Sequence, residues 1–449
     1  MVSAALSAPE RVLALARAVQ AAGGRAYVTG GAVRDQLLRK PVNDWDLEVY
    51  GLPEAALAEV IARFGSVKKV GGRFGVFVMQ GIELALPQGP GFRVASDMAT
   101  QEACRRRDFT INAMLWDPIQ RDLLDYHGGR IDLARGLLRQ TDPETFAEDP
   151  LRVLRAARLA GQLGMRIAPE TAAACRALAP SLDDLPWERI QKELVAWLLR
   201  SGRPGRTWDA LVETGAISLF PTFRALQGVP WQDGPGFPGD AWTHTGSVLD
   251  AAAGMRQGTR SRDLTLMLAA LLQDLGRPAC SRLNPRGRWQ ARGHEAAAVT
   301  QARHFLQRWF PSQSLHGAVL PLVRWQAAPQ ELHGGQAGKA ACLRLALRLP
   351  DRRLFLDFVR ILAQVAGIPN QPVDQTRDIW SAAGLLDGQP DPWIRGDDLA
   401  SMGLSPGPDF RRWLDMAYRL QLSGRYSDRH ILLQRLLRIR KSLICSRPT

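Results

Sequence analysis

The sequence predicts an α+β fold, a mixed α/β head followed by a mostly helical remainder, and three observations predict it. Between Arg25 and about Asp142, short apolar runs of strand length alternate with glycines and one or two helical stretches. From Pro143 onward the strand pattern thins, and apolar residues recur at three- and four-residue spacing, as in Leu151 to Leu163 and Glu188 to Leu199. Helix-breaking clusters at Gln227 to Gly239 and Gly367 to Pro372 then divide the helical part. The expected organisation is residues 1–142 as head, 143–226 as neck, 227–366 as body and 367–449 as tail.

Taken in order, Met1 to Gly24 reads as an amphipathic helix carrying Glu10, Arg11 and Arg17, without the apolar core of a signal peptide. Tyr27-Val28-Thr29 is the first strand, and it runs into Gly30-Gly31 and a helix from Ala32. Paired glycines let backbone N–H groups approach phosphate oxygens, and Arg34 adds a fixed positive fork. The bland alternative is an ordinary tight turn. Asn43-Asp44-Trp45-Asp46-Leu47-Glu48 follows and continues into a second strand, so Asp44 and Asp46 point to the same side. Two carboxylates that close repel unless a cation bridges them, and hard oxygen ligands in an open site suit Mg²⁺. The alternative is a solvated turn with capping aspartates. Glu48 shares that face, and Glu83 lies in another strand able to pair alongside; either is a candidate third carboxylate.

Arg106-Arg107-Asp108 reads as a basic pair ahead of an apolar helix with Asp108 as its N-cap. Asp149-Pro150 is a second N-cap and N1 pair, and Arg152 sits one turn on, three residues from Asp149. A carboxylate accepts from an exocyclic amine and a guanidinium donates to ring acceptors, so such a pair can read cytosine or adenine without a template.

The 449 residues, 46% of them apolar and 23% charged, suffice for about three domains of real core. Five scattered cysteines with no Cys-x-x-Cys pair argue against a disulfide scaffold and for a reducing, cytoplasmic setting. No run of 18 apolar residues appears, so a membrane span is not expected. A formal net charge of +14 fits a polyanion partner, although a GC-rich genome also raises arginine content.

Gly30-Gly31-Ala32-Val33-Arg34-Asp35, Asp44-Trp45-Asp46, Arg106-Arg107-Asp108-Phe109-Thr110-Ile111-Asn112 and Glu148-Asp149-Pro150-Leu151-Arg152 occur in one order over the first 160 residues or so. Together they resemble the class II (bacterial) tRNA nucleotidyltransferases, the CCA-adding family, whose polymerase β-like head is shared with bacterial poly(A) polymerases. The resemblance implies that Asp44 and Asp46 hold two Mg²⁺ ions; Glu83 stays the candidate third metal ligand from strand pairing, with Glu48 as the alternative. It assigns Gly30, Gly31, Arg34 and Arg107 to the nucleotide's phosphates, with Asp108 and Asn112 nearby. Asp149 and Arg152 would select the base, and Arg155 and Arg158 would also bind nucleotide. Helical drift turns Arg158 away from Asp149, toward a phosphate or the RNA. The implied partners are the 3′ end of tRNA, with CTP and ATP as substrates.

One departure lies between Pro87 and the arginine pair, where the family usually has an arginine and a flexible loop. Here Gln88-Gly89-Pro90-Gly91-Phe92-Arg93 leaves the span about ten residues short by comparison with the family pattern, which resembles enzymes that stop after two cytidines. Trp187 to Leu194 resembles the family's neck motif; by its chemistry alone it reads as packing with exposed charges. His244, Gln273-Asp274 and His294 resemble an HD phosphohydrolase domain in which glutamine replaces a histidine ligand, and a degenerate scaffold is expected. Val70 to Val76 and the arginine-rich end resemble the tRNA enzymes more than the poly(A) polymerases. That end suits salt-sensitive RNA contacts. The rival readings are a poly(A) polymerase, an HD-type phosphohydrolase and a non-catalytic RNA-binding protein.

Overall fold

A computed structural model describes residues 6–42, 44–70, 76–89, 91, 93–231, 239–333, 338–388, 391–422, 426 and 428–445. The chain forms two compact units, one of residues 1–193 with 206–220 and one of residues 194–205 with 221–449. Each is described by itself.

The first unit opens with α1 (Glu10–Ala21), β1 (Arg25–Thr29), α2 (Gly31–Leu37), β2 (Trp45–Tyr50), α3 (Glu54–Ala62), β3 (Lys68–Val70), β4 (Val76–Met79), β5 (Ile82–Ala85), α4 (Thr100–Arg105), β6 (Leu115–Trp116) and β7 (Leu123–Leu124). The strands form one mixed sheet in the order β3-β4-β5-β2-β1-β6-β7, in which only β2 and β5 run parallel. β1 is flanked on both edges, and Ala26 to Thr29 are all buried. Neighbouring β2 alternates: Leu47 and Val49 are buried apolar residues, while Asp46, Glu48 and Tyr50 project to the other face. On that face Tyr50 meets Tyr27 edge to face at 5.6 Å, beside Ala103 and Cys104 of α4. The unit continues with α5 (Gly129–Arg135), β8 (Leu137–Leu138), α6 (Pro143–Phe146), α7 (Leu151–Leu163), β9 (Arg166–Ile167), α8 (Pro169–Leu178) and, as far as Glu193, α9 (Trp187–Arg200), with β8 and β9 paired in parallel.

The structure corrects two local expectations. The apolar helix expected after Asp108 is a single 3-10 turn, Thr110–Asn112, which Asp108 does not cap. Tertiary contacts hold it: Thr110 N donates to the Arg139 carbonyl, and its hydroxyl donates to Asp132. Gly129 approaches so closely that an added Cβ would lie 2.3 Å from the Thr110 carbonyl oxygen. Asp149 lies one residue before the position that caps α7, and still accepts the Leu151 N–H at 3.2 Å.

The second unit is helical. Helix Arg260–Leu272, buried continuously from Thr265 to Leu272, packs against Ala241–Gly254, Gln313–Trp325 and Arg352–Val365. Asp240 starts Ala241–Gly254 with a reciprocal cap to Thr243. Near the chain end, Gly396–Ser401, Pro408–Leu422 and Arg429–Cys445 gather around Ile394, Leu399, Met402, Ala417, Leu432 and Leu436. No described helix is long and apolar enough to cross a membrane. The Gly-rich segment at 71–75 and parts of the 88–93 span and of the expected tail motif lie outside the described residues.

Candidate active site

Strand β2 carries the acidic pair at its start. Asp44 is exposed just before the strand, and Asp46 is half-buried within it. Parallel pairing sets Asp46 directly beside Glu83 of β5, so the two carboxylates share a face. Burial, reinforced by Glu83 and Asp44, pushes the Asp46 carboxyl up to about 6 against the opposing pull of Arg107. A divalent cation relieves that repulsion, so this donor set of carboxylate oxygens fits one. Among the described residues no group of three or more His, Cys, Asp or Glu side chains is placed to hold a metal ion, so a cation at the Asp46 and Glu83 pair would need waters and substrate oxygens among its ligands.

The Gly30-Gly31 turn lies against this face. Gly30 has φ 65, a left-handed conformation that favours glycine, and a Cβ there would stand 3.5 Å from Asp46 Oδ2 and 3.7 Å from Arg107 Nη1. Arg107 reaches over the sheet to Glu48 at 3.0 Å. Burial works against its charge, yet Glu48, Tyr50 and Cys104 together hold the guanidinium above its ordinary pKa. Glu48 also accepts from the Tyr50 hydroxyl at 2.6 Å, so it is engaged by an arginine and a phenol.

Arg34 is buried beside the same turn and forms the first link of a polar chain. It donates to Asp35 at 2.8 Å and to Asn112 Oδ1 at 2.8 Å. Asn112 Nδ2 donates onward to Asp108 Oδ1 at 3.1 Å. Asp108 Oδ2 receives Arg155 Nε at 2.8 Å, and Arg155 reaches Glu193 of α9 at 3.4 Å. Glu193 accepts Arg158 Nε at 2.6 Å, and Arg158 also donates to Gln162. Five expected site residues, Arg34, Asn112, Asp108, Arg155 and Arg158, thus lie along one connected path.

The side chains of Asp149 and Arg152 are not bonded to each other; Arg152 N donates to the Asp149 carbonyl at 3.1 Å. Asp149 Oδ2 is held by Arg189 at 2.8 Å. Arg152 donates to the Thr145 and Arg106 carbonyls, both at 2.5 Å, above the Phe146 ring. Burial lowers the Arg152 pKa despite the carboxylates around it. Arg189 and Glu193 are therefore bonded into this region and are not the exposed charges expected of the neck motif. Their four-residue spacing on α9, facing the three-residue arginine pair of α7, was the available signal.

In the second unit His244, Gln273 and Asp274 come together. His244 Nδ1 lies 2.6 Å from Asp274 Oδ2, and Gln273 donates to the same oxygen. Arg277 donates to the other oxygen, Asp274 Oδ1, and also to the Trp231 carbonyl at 2.9 Å. Burial opposes the Asp274 charge, but Arg277 and His244 hold the carboxyl far below its usual range.

The head matches the Poly A polymerase head domain over residues 26–139, and residues 164–226 match the probable RNA and SrmB-binding site of polymerase A. A multifunctional CCA protein of Nitrosococcus oceani is 33% identical over 402 residues, covering 83% of this chain and 94% of that protein. One from Halorhodospira halophila is 37% identical over 320 residues, 67% of this chain and 72% of the relative. By fold, the chain is similar to the Bacillus stearothermophilus CCA-adding enzyme in complex with CTP, at TM-score 0.68 and 22% identity over 98% of this chain and 99% of that one. It is likewise similar to the Thermotoga maritima CCA-adding enzyme complexed with tRNA, at TM-score 0.62 and 19% identity over 96% of each chain. Identity at a third of the aligned positions over 94% of a curated relative, with a head that matches the Poly A polymerase head domain, places the chain in the bacterial CCA-adding enzyme family, the tRNA nucleotidyltransferases that use divalent metal.

Proposed function

We propose that the chain builds the cytidines of the tRNA 3′ end from CTP, with ATP the substrate of any terminal adenosine, and that Mg²⁺ is its metal. The observation that carries the reading is Asp46, paired in register with Glu83 and lying beside the Gly30 turn and Arg107. Asp44, Asp46 and Glu83 would hold the metal, which when bound supplies charge neutralisation at the phosphate undergoing transfer. Gly30 and Gly31 leave room for phosphate oxygens, and Arg34 and Arg107 present guanidiniums to them. Arg107 Nε, buried and without a hydrogen-bond partner among the described residues, supports that assignment. Asp108, Asn112, Arg155 and Arg158 keep α7 in register with the turn. Asp149, oriented by Arg189, and Arg152 then select the base, the carboxylate taking the exocyclic amine and the guanidinium the ring acceptors after release from the Thr145 and Arg106 carbonyls.

The four-part division at residues 142, 226 and 366 is proposed as the functional organisation: catalysis, base selection, body and RNA-binding tail. The body is proposed to be an HD-like scaffold without phosphohydrolase activity, supported by glutamine at 273 and by Arg277 on Asp274. A cytoplasmic setting is supported by Cys104, Cys175, Cys280 and Cys342 all being free thiols.

Addition is proposed to stop after two cytidines. Between β5 and α4, Gly89 N donates to the Arg93 carbonyl at 2.7 Å and Ala95 N to the Pro87 carbonyl at 2.8 Å, which supports a short connection there. The test is single-nucleotide gel analysis with Mg²⁺ and tRNAs ending before CCA, after C and after CC, each given CTP, ATP or both. Two cytidines and a stop are expected. Efficient adenosine addition to the CC-ended tRNA overturns the stop, long adenosine tails on generic RNA favour the poly(A) polymerase, and no extension on any tRNA sinks the whole reading. Metal-dependent phosphate release surviving Asp44→Ala with Asp46→Ala favours the phosphohydrolase.

A further inference from the structure

The second unit carries a basic trough outside every site described above. Three adjoining cavities of about 520, 400 and 460 Å³ meet at Arg348, which lines all three. The first two also share Gly317 and Pro321, and the first and third share Leu347. Arg303, Arg324 and Arg348 line the middle cavity, and Arg344 and Arg419 extend the wall beyond Arg348. No aspartate or glutamate is among the described lining residues of any of the three. Nor does any described carboxylate form an ion pair with these five exposed arginines. Half-buried Arg105, Arg155 and Arg189 of the first unit, by contrast, are each paired with a carboxylate.

Two of the five are also held in place. Arg324 and Arg348 both stack on Trp325, each with its guanidinium carbon 4.8 Å from the ring centroid. Stacking orders a guanidinium without using its N–H donors, which stay directed outward for an anion. The floor is firm as well. His316, 4% exposed, is fixed by Nε2 on the Phe310 carbonyl at 2.8 Å, and Pro321 sits inside helix Gln313–Trp325.

A run of ordered, unpaired arginines along joined cavities suits an extended polyanion better than a compact one. We propose that this trough is a track for the phosphodiester backbone of the RNA substrate, with Arg303, Arg324 and Arg348 each meeting phosphate oxygens. The inference rests on the RNA-extending function proposed above and extends the binding surface from the basic tail, where Arg419 lies, into the body. An acidic protein is the less favoured occupant, because the stacked guanidiniums present planar forks matched to phosphate oxygens.

The test uses the full chain, its Arg303→Gln, Arg324→Gln, Arg348→Gln triple variant, and a labelled tRNA lacking its 3′ CCA, with affinity read by anisotropy across a salt series. The substitutions are at exposed positions, and a thermal melt matching the parent confirms folding. The expected result is at least a roughly tenfold weaker Kd, and a log Kd against log salt slope smaller by about 2, since each phosphate contact contributes about 0.7 to 0.9. KM for tRNA should rise while KM for CTP stays at the parental value. Unchanged tRNA affinity and slope overturn the proposal. So does a raised KM for CTP alone, which marks a free-nucleotide site, or loss of polyglutamate binding with tRNA binding intact, which marks an acidic-protein site. Because binding is read without turnover, failure of the parent to extend tRNA counts against the proposed function and not against the trough.

Discussion

Arg155 grips a single oxygen of Asp108 with two donors, Nε at 2.8 Å and Nη2 at 2.6 Å. The contact ties the turn after α4 to the second turn of α7. Asp108→Ala leaves that guanidinium without its main partner, and the expected loss is about 2 kcal/mol, the scale of a hydrogen bond to a charged group. Urea unfolding measures it; a loss below about 0.5 kcal/mol, the scale of a surface pair, would show that the grip contributes little.

The same carboxyl predicts a pH signature. Burial opposes its charge, but Arg155 and Asn112 outweigh burial and bring Asp108 down to about 2. A carboxyl lowered on folding contributes stability that is full above its unfolded pKa, about 4, and is lost as pH falls through the folded value. The stability gap between the parent and Asp108→Asn should therefore narrow by roughly 2 kcal/mol from pH 5 to pH 2. A gap independent of pH contradicts the charge pairing.

Asp46→Asn should lower nucleotide incorporation by roughly 10²- to 10³-fold while tRNA affinity holds, since its carboxylate is placed for the transferring phosphate. Glu83→Gln should act more mildly and raise the Mg²⁺ concentration needed for half-maximal rate. Chelation with EDTA should abolish incorporation by the parent. Full activity of Asp46→Asn would falsify the assignment of the β2 carboxylates.

Arg189 holds the Asp149 oxygen that base selection needs. Arg189→Gln should therefore cut the kcat/KM preference for CTP over UTP by roughly tenfold, the loss of one charge-assisted bond. Equal loss on both nucleotides, with the ratio kept, would mean that Arg189 only supports the fold.

In the body, Gln273→His should confer no metal-dependent phosphate release, because Arg277 already neutralises Asp274. Removing that partner, in Arg277→Ala, leaves a buried carboxylate with less compensation and should cost about 3 kcal/mol. Phosphate assays and thermal melts on the two variants check both expectations.

The parts of the site legible in the sequence are the local ones. Gly30-Gly31 and Asp44-x-Asp46 declare themselves because a strand's two-residue period and a left-handed glycine act over a few residues. What stayed hidden depends on partners far apart in the chain: Arg107 on Glu48, Arg152 on the Thr145 and Arg106 carbonyls, Arg189 on Asp149. The stretch after Asp108 misleads for a physical reason. Phe109, Thr110, Ile111 and Asn112 are all buried, so no polar face breaks the run into a helical or strand period. Only Asp132, Arg139 and the bare flank of Gly129 decide that it turns.

The Arg277 contact with Asp274 also constrains what evolution can make of the body. Glutamine and histidine codons differ in their third base alone, so an imidazole at position 273 is one point mutation away. Arriving there, it would find the neighbouring carboxylate already satisfied by a guanidinium, and selection would have nothing to act on. The complementary step, loss of Arg277 first, strands a buried negative charge and lowers stability before any new chemistry appears. The two changes are individually unrewarded or harmful, so the present arrangement is a local optimum that single substitutions do not easily leave.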